Sequence, residues 1–178
     1  MKKLFPFIVA LGFLSPTLAS AQQKPYVEVG FSAITIKDET NFLGDYNNGA
    51  IKLTVGSEIT NWLAIEGTVG TGVGDDTNNV LGVPVTVKTK EFASLYLRPF
   101  VKINEQVELF GRLGYFSGKI QASALGQTVS ETDSDFSYGV GVAFSLTNTS
   151  AIVLDYMQFY DKESVKITGF GIAYRQRF

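Results

Sequence analysis

The sequence predicts an all-β fold, an eight-stranded antiparallel up-and-down transmembrane β-barrel. Three observations predict it. From Tyr26 to Phe178 the apolar residues recur mostly with period two, and no long segment sustains a helical period. The connections between these segments alternate in length, short and then long. The face of each segment that carries charge is also the face that carries glycine, as a small crowded lumen requires.

The chain opens with Lys2 and Lys3, then an apolar stretch from Leu4 to Leu14 broken only by Pro6 and Gly12, then Ala19-Ser20-Ala21. That is the pattern of a secretory signal peptide, with cleavage expected after Ala21. The alternative, an N-terminal anchor, needs roughly 20 apolar residues to span a bilayer, and this run is far shorter. The expected division is therefore a signal peptide at 1–21 and an outer-membrane barrel domain at 22–178.

Eight strands are predicted near Pro25–Ile36, Gly49–Thr60, Trp62–Val73, Thr89–Ile103, Val107–Ile120, Asp135–Leu146, Ser150–Tyr160 and Val165–Phe178. Thr60-Asn61, Asn104-Glu105-Gln106 and Thr147-Asn148-Thr149 are tight polar turns. Lys37–Asn48, Gly74–Lys88 and Gln121–Ser134 are long polar connections, with a shorter one at Asp161–Ser164. Behind a signal peptide, the short turns should face the periplasm and the long loops the exterior.

The alternation assigns the faces. In the fourth strand Ala93, Leu95, Leu97, Pro99 and Val101 oppose Ser94, Tyr96, Arg98, Phe100 and Lys102. In the sixth, Phe136, Tyr138, Val140, Val142, Phe144 and Leu146 oppose Ser137, Gly139, Gly141, Ala143 and Ser145. The apolar face should meet lipid, and the sheet should close, because unpaired backbone groups are costly in hydrocarbon. Trp62, Tyr115, Tyr138, Tyr156, Phe170, Tyr174 and Phe178 are candidates for the interfacial girdles. Strand propensity accounts for any one of them equally well, so only the group carries information.

The last strand, Gly169-Phe-Gly-Ile-Ala-Tyr-Arg-Gln-Arg-Phe178, resembles the C-terminal assembly signature of bacterial outer-membrane barrels. Phe170, Ile172, Tyr174 and Phe178 match it, and Gln176 departs from the usual apolar or aromatic choice. With the signal peptide, the opening strand Tyr26-Val-Glu-Val-Gly-Phe and the element Leu154-Asp155-Tyr156, the mature chain resembles the small OmpA/OmpX-type, porin-like outer-membrane β-barrel family. The resemblance implies eight strands, an outer-membrane location in a Gram-negative cell, and contact with outer-membrane lipid and the assembly machinery. It implies no single function, since such barrels serve as anchors, adhesins, resistance factors and, rarely, enzymes.

Composition narrows the chemistry. The net charge is −2, and loss of Lys2 and Lys3 makes it more negative, which argues against nucleic acid as a partner. The chain contains no histidine and no cysteine, so the common routes to nucleophile activation and zinc ligation are closed. Outer-membrane enzymes of similar architecture use a catalytic histidine, and none can be placed here. No enzyme, cofactor or metal site is expected.

The ionisable residues on the inferred lumen face are Glu28, Glu58, Glu66, Glu108 and Asp155, with Lys52, Arg98, Arg112, Arg175 and Arg177. They read as an acid/base pair or ion-selective passage, or as a charge network filling a barrel too narrow to be open. The network is favoured, because eight strands leave room only for side chains and buried charges need partners. Glu28, Glu66, Arg98, Glu108, Arg112, Asp155 and Arg175 are its expected members. Glu66, Arg98, Arg112 and Asp155 should lie in one connected cluster at mid-lumen.

Two other motifs are set aside. Gly67-Thr-Val-Gly-Thr-Gly-Val-Gly74 lacks the Lys-Ser/Thr and the strand-to-helix context of a phosphate loop. Asp75, Asp76, Asn78 and Asn79 match no EF-hand spacing and read as a solvated loop tip.

Function should reside in the exterior loops. Val80-Leu-Gly-Val-Pro-Val-Thr-Val87 and Ala122-Ser-Ala-Leu-Gly126 are unusually apolar for loops. They either extend the strands above the membrane as a hairpin-like rim or form a sticky surface for another protein or a host matrix. The expectation is a structural or cell-surface role carried by these loops. The alternatives are an adhesin or serum-resistance factor, a narrow solute-passing porin, or a periplasmic lipocalin-like ligand-binding barrel. A closed barrel has no edge to pair, so a monomer is expected.

Overall fold

In the computed structural model, residues 24–40, 44–162 and 164–178 are described; the expected signal peptide, 1–21, lies outside the described residues. Among the described residues nine strands form: β1 Lys24–Asp38, β2 Tyr46–Glu58, β3 Leu63–Val73, β4 Asp76–Val80, β5 Val83–Lys102, β6 Val107–Ala124, β7 Gln127–Ser145, β8 Ser150–Lys162 and β9 Val165–Arg177. Every strand pairing is antiparallel, and β1 pairs with both β2 and β9. Pairing of β3 with β5 closes an eight-stranded ring, and β4 stands outside it.

Side chains at the tight turns explain why the chain reverses there. Asn104 Oδ1 accepts from the amides of Gln106 and Val107, both at 2.8 Å, and so mimics a backbone turn. Thr147 Oγ1 does the same for Thr149 and Ser150, at 3.2 and 3.0 Å. The two chain ends meet on this short-turn side, where the Phe178 amide donates to the Pro25 carbonyl at 3.0 Å.

The two longest connections of the sequence reading are corrected. Most of 74–88 and 121–134 is strand: β5 starts at Val83, β6 runs to Ala124 and β7 starts at Gln127. The hairpin-like rim is thus what forms. In β7 the stretch 127–133 is exposed on both faces, so no apolar contrast marks it as strand in sequence. In β5 Val85 and Val87 alternate with Pro84, Thr86 and Lys88 and pack against the apolar cluster of the lumen.

Two β-bulges mark where barrel wall becomes free-standing sheet. On β5 the register shifts between Thr89 and Phe92, where its partner changes from β4 to β3. On β8 it shifts between Gln158 and Tyr160, beside Tyr138–Gln158, the uppermost pair joining β7 to β8. A bulge bends its strand and raises the local twist, which lets β4, β5, β6 and β7 rise together away from the ring.

The outward face of the ring is apolar, with Val29, Ile51, Leu53, Val55, Leu95, Leu97, Leu113, Val140 and Ile172 exposed. Trp62, Tyr115, Tyr138, Tyr156, Phe170, Tyr174 and Phe178 are exposed on the same outer surface. Such a surface is stable against lipid and unstable against water.

Candidate functional site

The middle of the lumen is filled by charge. Lys52, Arg98, Arg112 and Arg175 interleave with Glu28, Glu66, Glu108 and Asp155, all buried. Arg112 is the hub. Its Nη1 lies 2.6 Å from Asp155, its Nη2 lies 2.9 Å from Glu28, and its Nε donates to Glu66. Arg175 donates through Nε to Glu28 at 2.8 Å and through Nη1 to Glu108 at 3.1 Å. Arg98 donates to Glu108 at 2.6 Å and stands 3.3 Å from Glu66. Lys52 binds Asp155 at 2.8 Å, and the Tyr26 hydroxyl donates to Glu66 at 2.6 Å. Toward the periplasmic end Arg177 approaches Glu58 and Glu108 at 3.8 and 3.7 Å.

Every lumen residue singled out from the sequence is brought into this cluster. Their inward placement follows from the two-residue alternation of each strand. Sequence reasoning missed Tyr26, whose ring also lies 4.5 Å from the Arg175 guanidinium, and Phe110, 4.0 Å from that of Arg98. The signal was present, since Tyr26 and Phe110 share parity with Glu28 and Arg112.

Glycine makes the packing possible. A Cβ on Gly171 would stand 2.2 Å from Asp155 Oδ1 and 2.6 Å from Lys52 Nζ, so only glycine admits that ion pair. A Cβ on Gly141 would meet the Phe110 ring at 2.3 Å. Four cations face four carboxylates in the central cluster, so the interior carries no large excess of either sign. Each charge is compensated where water is excluded.

Above the ions the lumen turns apolar: Ile34, Ile36, Phe92, Phe116, Met157, Phe159 and Ile167 form one buried cluster. The sequence reading of the inner face as glycine, hydroxyl and charge thus describes its periplasmic half only. Gly67–Gly74 lies mainly in β3. Asp75 is paired with Lys88 at 2.8 Å, and Asp76 accepts from the amides of Asn47 and Thr77. Lys88 holds the Asp75 carboxyl below its ordinary range by hydrogen bond and charge.

The outer sheet ends in two matched turns. Leu81-Gly82 joins β4 to β5 and Leu125-Gly126 joins β6 to β7, with positive φ at all four residues (51°, 86°, 50° and 74°). That is the type I′ pattern, which fits the twist of a hairpin and normally selects Asn or Gly at its first position. Leucine there is strained, and the residue is 86% exposed at Leu81 and 80% at Leu125. On one flank β4 is tied to the barrel by Asn78 donating to the Asp45 carbonyl at 2.9 Å. On the other, no described strand pairs with β7 on the β8 side from Gln127 to Ser137.

A closed ring with an apolar belt, a paired ionic interior and strands rising from one rim defines an integral β-barrel of the bacterial outer membrane. The chain belongs to the outer membrane protein beta-barrel domain family, which matches residues 5–178. Over 90 residues it is 33% identical to the attachment invasion locus protein of Yersinia enterocolitica, covering 49% of this chain and 49% of the relative. The match thus spans about half the length of that relative. Among solved structures, the fold resembles Ail, the attachment invasion locus protein of Yersinia pestis, at TM-score 0.64 and 22% identity, covering 87% of this chain and 98% of the other. It resembles Neisserial surface protein A at TM-score 0.69 and 12% identity, covering 86% and 97%.

Proposed function

We propose that this protein is an adhesin that grips a protein partner on a host surface through the outer end of the β4–β7 sheet. The observation that carries the reading is the pair of strained, exposed leucines at the hairpin tips. Strain in a turn persists where the residue serves something other than the turn. Two apolar side chains held above water on rigid strands suit an apolar anchor within a polar rim. The open β7 edge offers main-chain groups beside them, the means by which an added strand is held.

Similarity to proteins named for attachment and invasion supports this reading. One of these, Ail of Yersinia pestis, has been solved with the heparin analogue sucrose octasulfate. The charge here favours a protein partner over a polyanion. Lys37, Lys88, Lys119, Lys162 and Lys166 each pair with a carboxylate, and Glu39, Glu131 and Asp133 add further negative charge. A catalytic role has no support: histidine and cysteine are absent, and the lumen carboxylates are held by cations.

The test is adhesion of bacteria displaying the protein to cultured epithelial cells and to immobilised matrix proteins. Leu81→Asn with Leu125→Asn should abolish adhesion while surface display is unchanged. Full adhesion by the double variant would overturn the reading.

A further inference from the structure

Between the ionic cluster and the outer rim lies a cavity of about 350 Å³ inside the barrel. That volume is in the range of small-molecule sites. Its walls are Ile34, Phe92, Phe116, Met157, Phe159 and Ile167; its floor is Ser32, Thr54, Thr68, Lys52 and Arg112. From Ser32 to Asp38 at the rim β1 runs six residues, roughly 15 Å along the barrel axis at the usual rise and tilt. The space is therefore deep and narrow, with an apolar wall between a polar base and a charged mouth of Lys37, Asp38, Lys119, Glu131 and Asp133.

A second observation marks the base as incomplete. Ser32 Oγ is fully buried and has no hydrogen-bond partner, and higher in the wall Thr89 Oγ1 is in the same state. A buried hydroxyl without a partner costs free energy that a ligand oxygen would recover. Lys52 and Arg112, by contrast, are engaged with Asp155, Glu28 and Glu66. Thr54 and Thr68 bond each other at 2.8 Å. The floor therefore offers a ligand the unpartnered hydroxyl of Ser32 and no unmatched positive charge, and an entering carboxylate would be uncompensated.

We infer that the barrel mouth binds one unbranched medium-length alkyl compound with a neutral oxygen end, such as a primary alcohol. The oxygen end would sit on Ser32 and the chain would run up between Phe92, Phe116, Met157 and Phe159. An alkyl chain laid against this wall removes apolar surface from water, which favours its binding. The lining belongs to the inside of a closed ring, so the ligand enters from outside the cell and not from bilayer lipid. This site is separate from the hairpin tips and stands or falls independently of adhesion.

The experiment is fluorine NMR of the folded protein in lipid nanodiscs, titrated with 8,8,8-trifluorooctan-1-ol. The expected result is a saturable resonance, one ligand per barrel, distinct from alcohol dissolved in the disc lipid. Ile34→Trp, which fills the shaft, should abolish it while the barrel keeps its heat-dependent gel shift. Ser32→Ala, which removes only the orphan hydroxyl, should weaken binding about tenfold, the value of one hydrogen bond. Should Ile34→Trp fail to fold, Ser32→Ala carries the test alone. The matching trifluorinated carboxylic acid should bind more weakly than the alcohol at neutral pH. Only the lipid-dissolved signal in the unmodified protein, or an undiminished bound signal in either variant, would overturn the site. Tighter binding of the acid would overturn the neutral end group.

Discussion

Leu81 and Leu125 hold the same place in two neighbouring hairpins. Each is the first residue of a two-residue turn, each has a φ near 50°, and each is followed by a glycine with positive φ. Val85 of β5 pairs with Ala124 of β6, so the tips rise to within about two residues of one another. A left-handed conformation costs an L-residue roughly 1–2 kcal/mol, and asparagine tolerates it best among those with side chains. Leu81→Asn and Leu125→Asn should each therefore stabilise their hairpin, read as slower nicking at the tip by a broad-specificity protease. Faster nicking would mean that the leucine side chains themselves hold the turns together.

Arg112 compensates three carboxylates at once, Glu28, Glu66 and Asp155. Its replacement by leucine would leave buried negative charge with too few partners. Breaking a buried ion pair on one side costs about 3–5 kcal/mol. Arg112→Leu should lower the urea midpoint of the barrel in lipid vesicles by a correspondingly large amount. Arg112→Leu with Glu66→Leu should recover part of that loss, because the second change removes the stranded charge. An Arg112→Leu midpoint equal to that of the parent would mean that water reaches the cluster.

The barrel and its ionic interior were legible in sequence for one physical reason. Wherever one strand face meets lipid and the other meets a crowded lumen, side chains must alternate in polarity, and Glu28, Glu66, Arg112 and Asp155 fall on the inner parity. Two parts were not legible. The strands above the membrane, such as Gln127–Asp133, face water on both sides, so polarity carries no period there. Their turns use Leu-Gly where Asn-Gly would have signalled a hairpin. The apolar half of the lumen was also hidden. Ile34, Phe116 and Phe159 look the same in sequence whether an apolar residue faces lipid or lines a cavity. Only their parity with Ser32, Arg112 and Asp155 on their own strands places them inside.

The exposed pair Lys88–Asp75 gives the outer sheet a defined response to acid. Lys88 donates a hydrogen bond to the Asp75 carboxylate and lowers its pKa. A carboxyl whose folded pKa is depressed stabilises the fold fully above its unfolded value, near 4, and loses that contribution as pH falls through the folded value. The pair should thus be intact from about pH 5 upward and released only in stronger acid. Carboxyl NMR of Lys88→Gln should show Asp75 titrating at higher pH than in the parent, toward the ordinary range. An unchanged Asp75 titration would mean that the pair does not persist in solution.

Conductance follows from what occupies the axis of the ring. Tyr26, Phe100 and Phe110 are buried inside the periplasmic half, the eight-residue ion cluster spans the middle, and Phe92, Phe116 and Phe159 narrow the outer half. At the level of the ion cluster the ring has room for side chains and little else, and there the cations and anions hold one another rather than water. An ion crossing the lumen would have to displace Arg112 from its three partners, at a cost far above thermal energy. The folded protein in a planar bilayer should therefore show no steady single-channel current at neutral pH. Arg112→Ala with Glu66→Ala removes the hub and one partner, opens space within the ion cluster, and should produce brief, flickering openings. A steady current from the unmodified protein would mean that the cluster rearranges in the membrane, and would make solute passage the leading function.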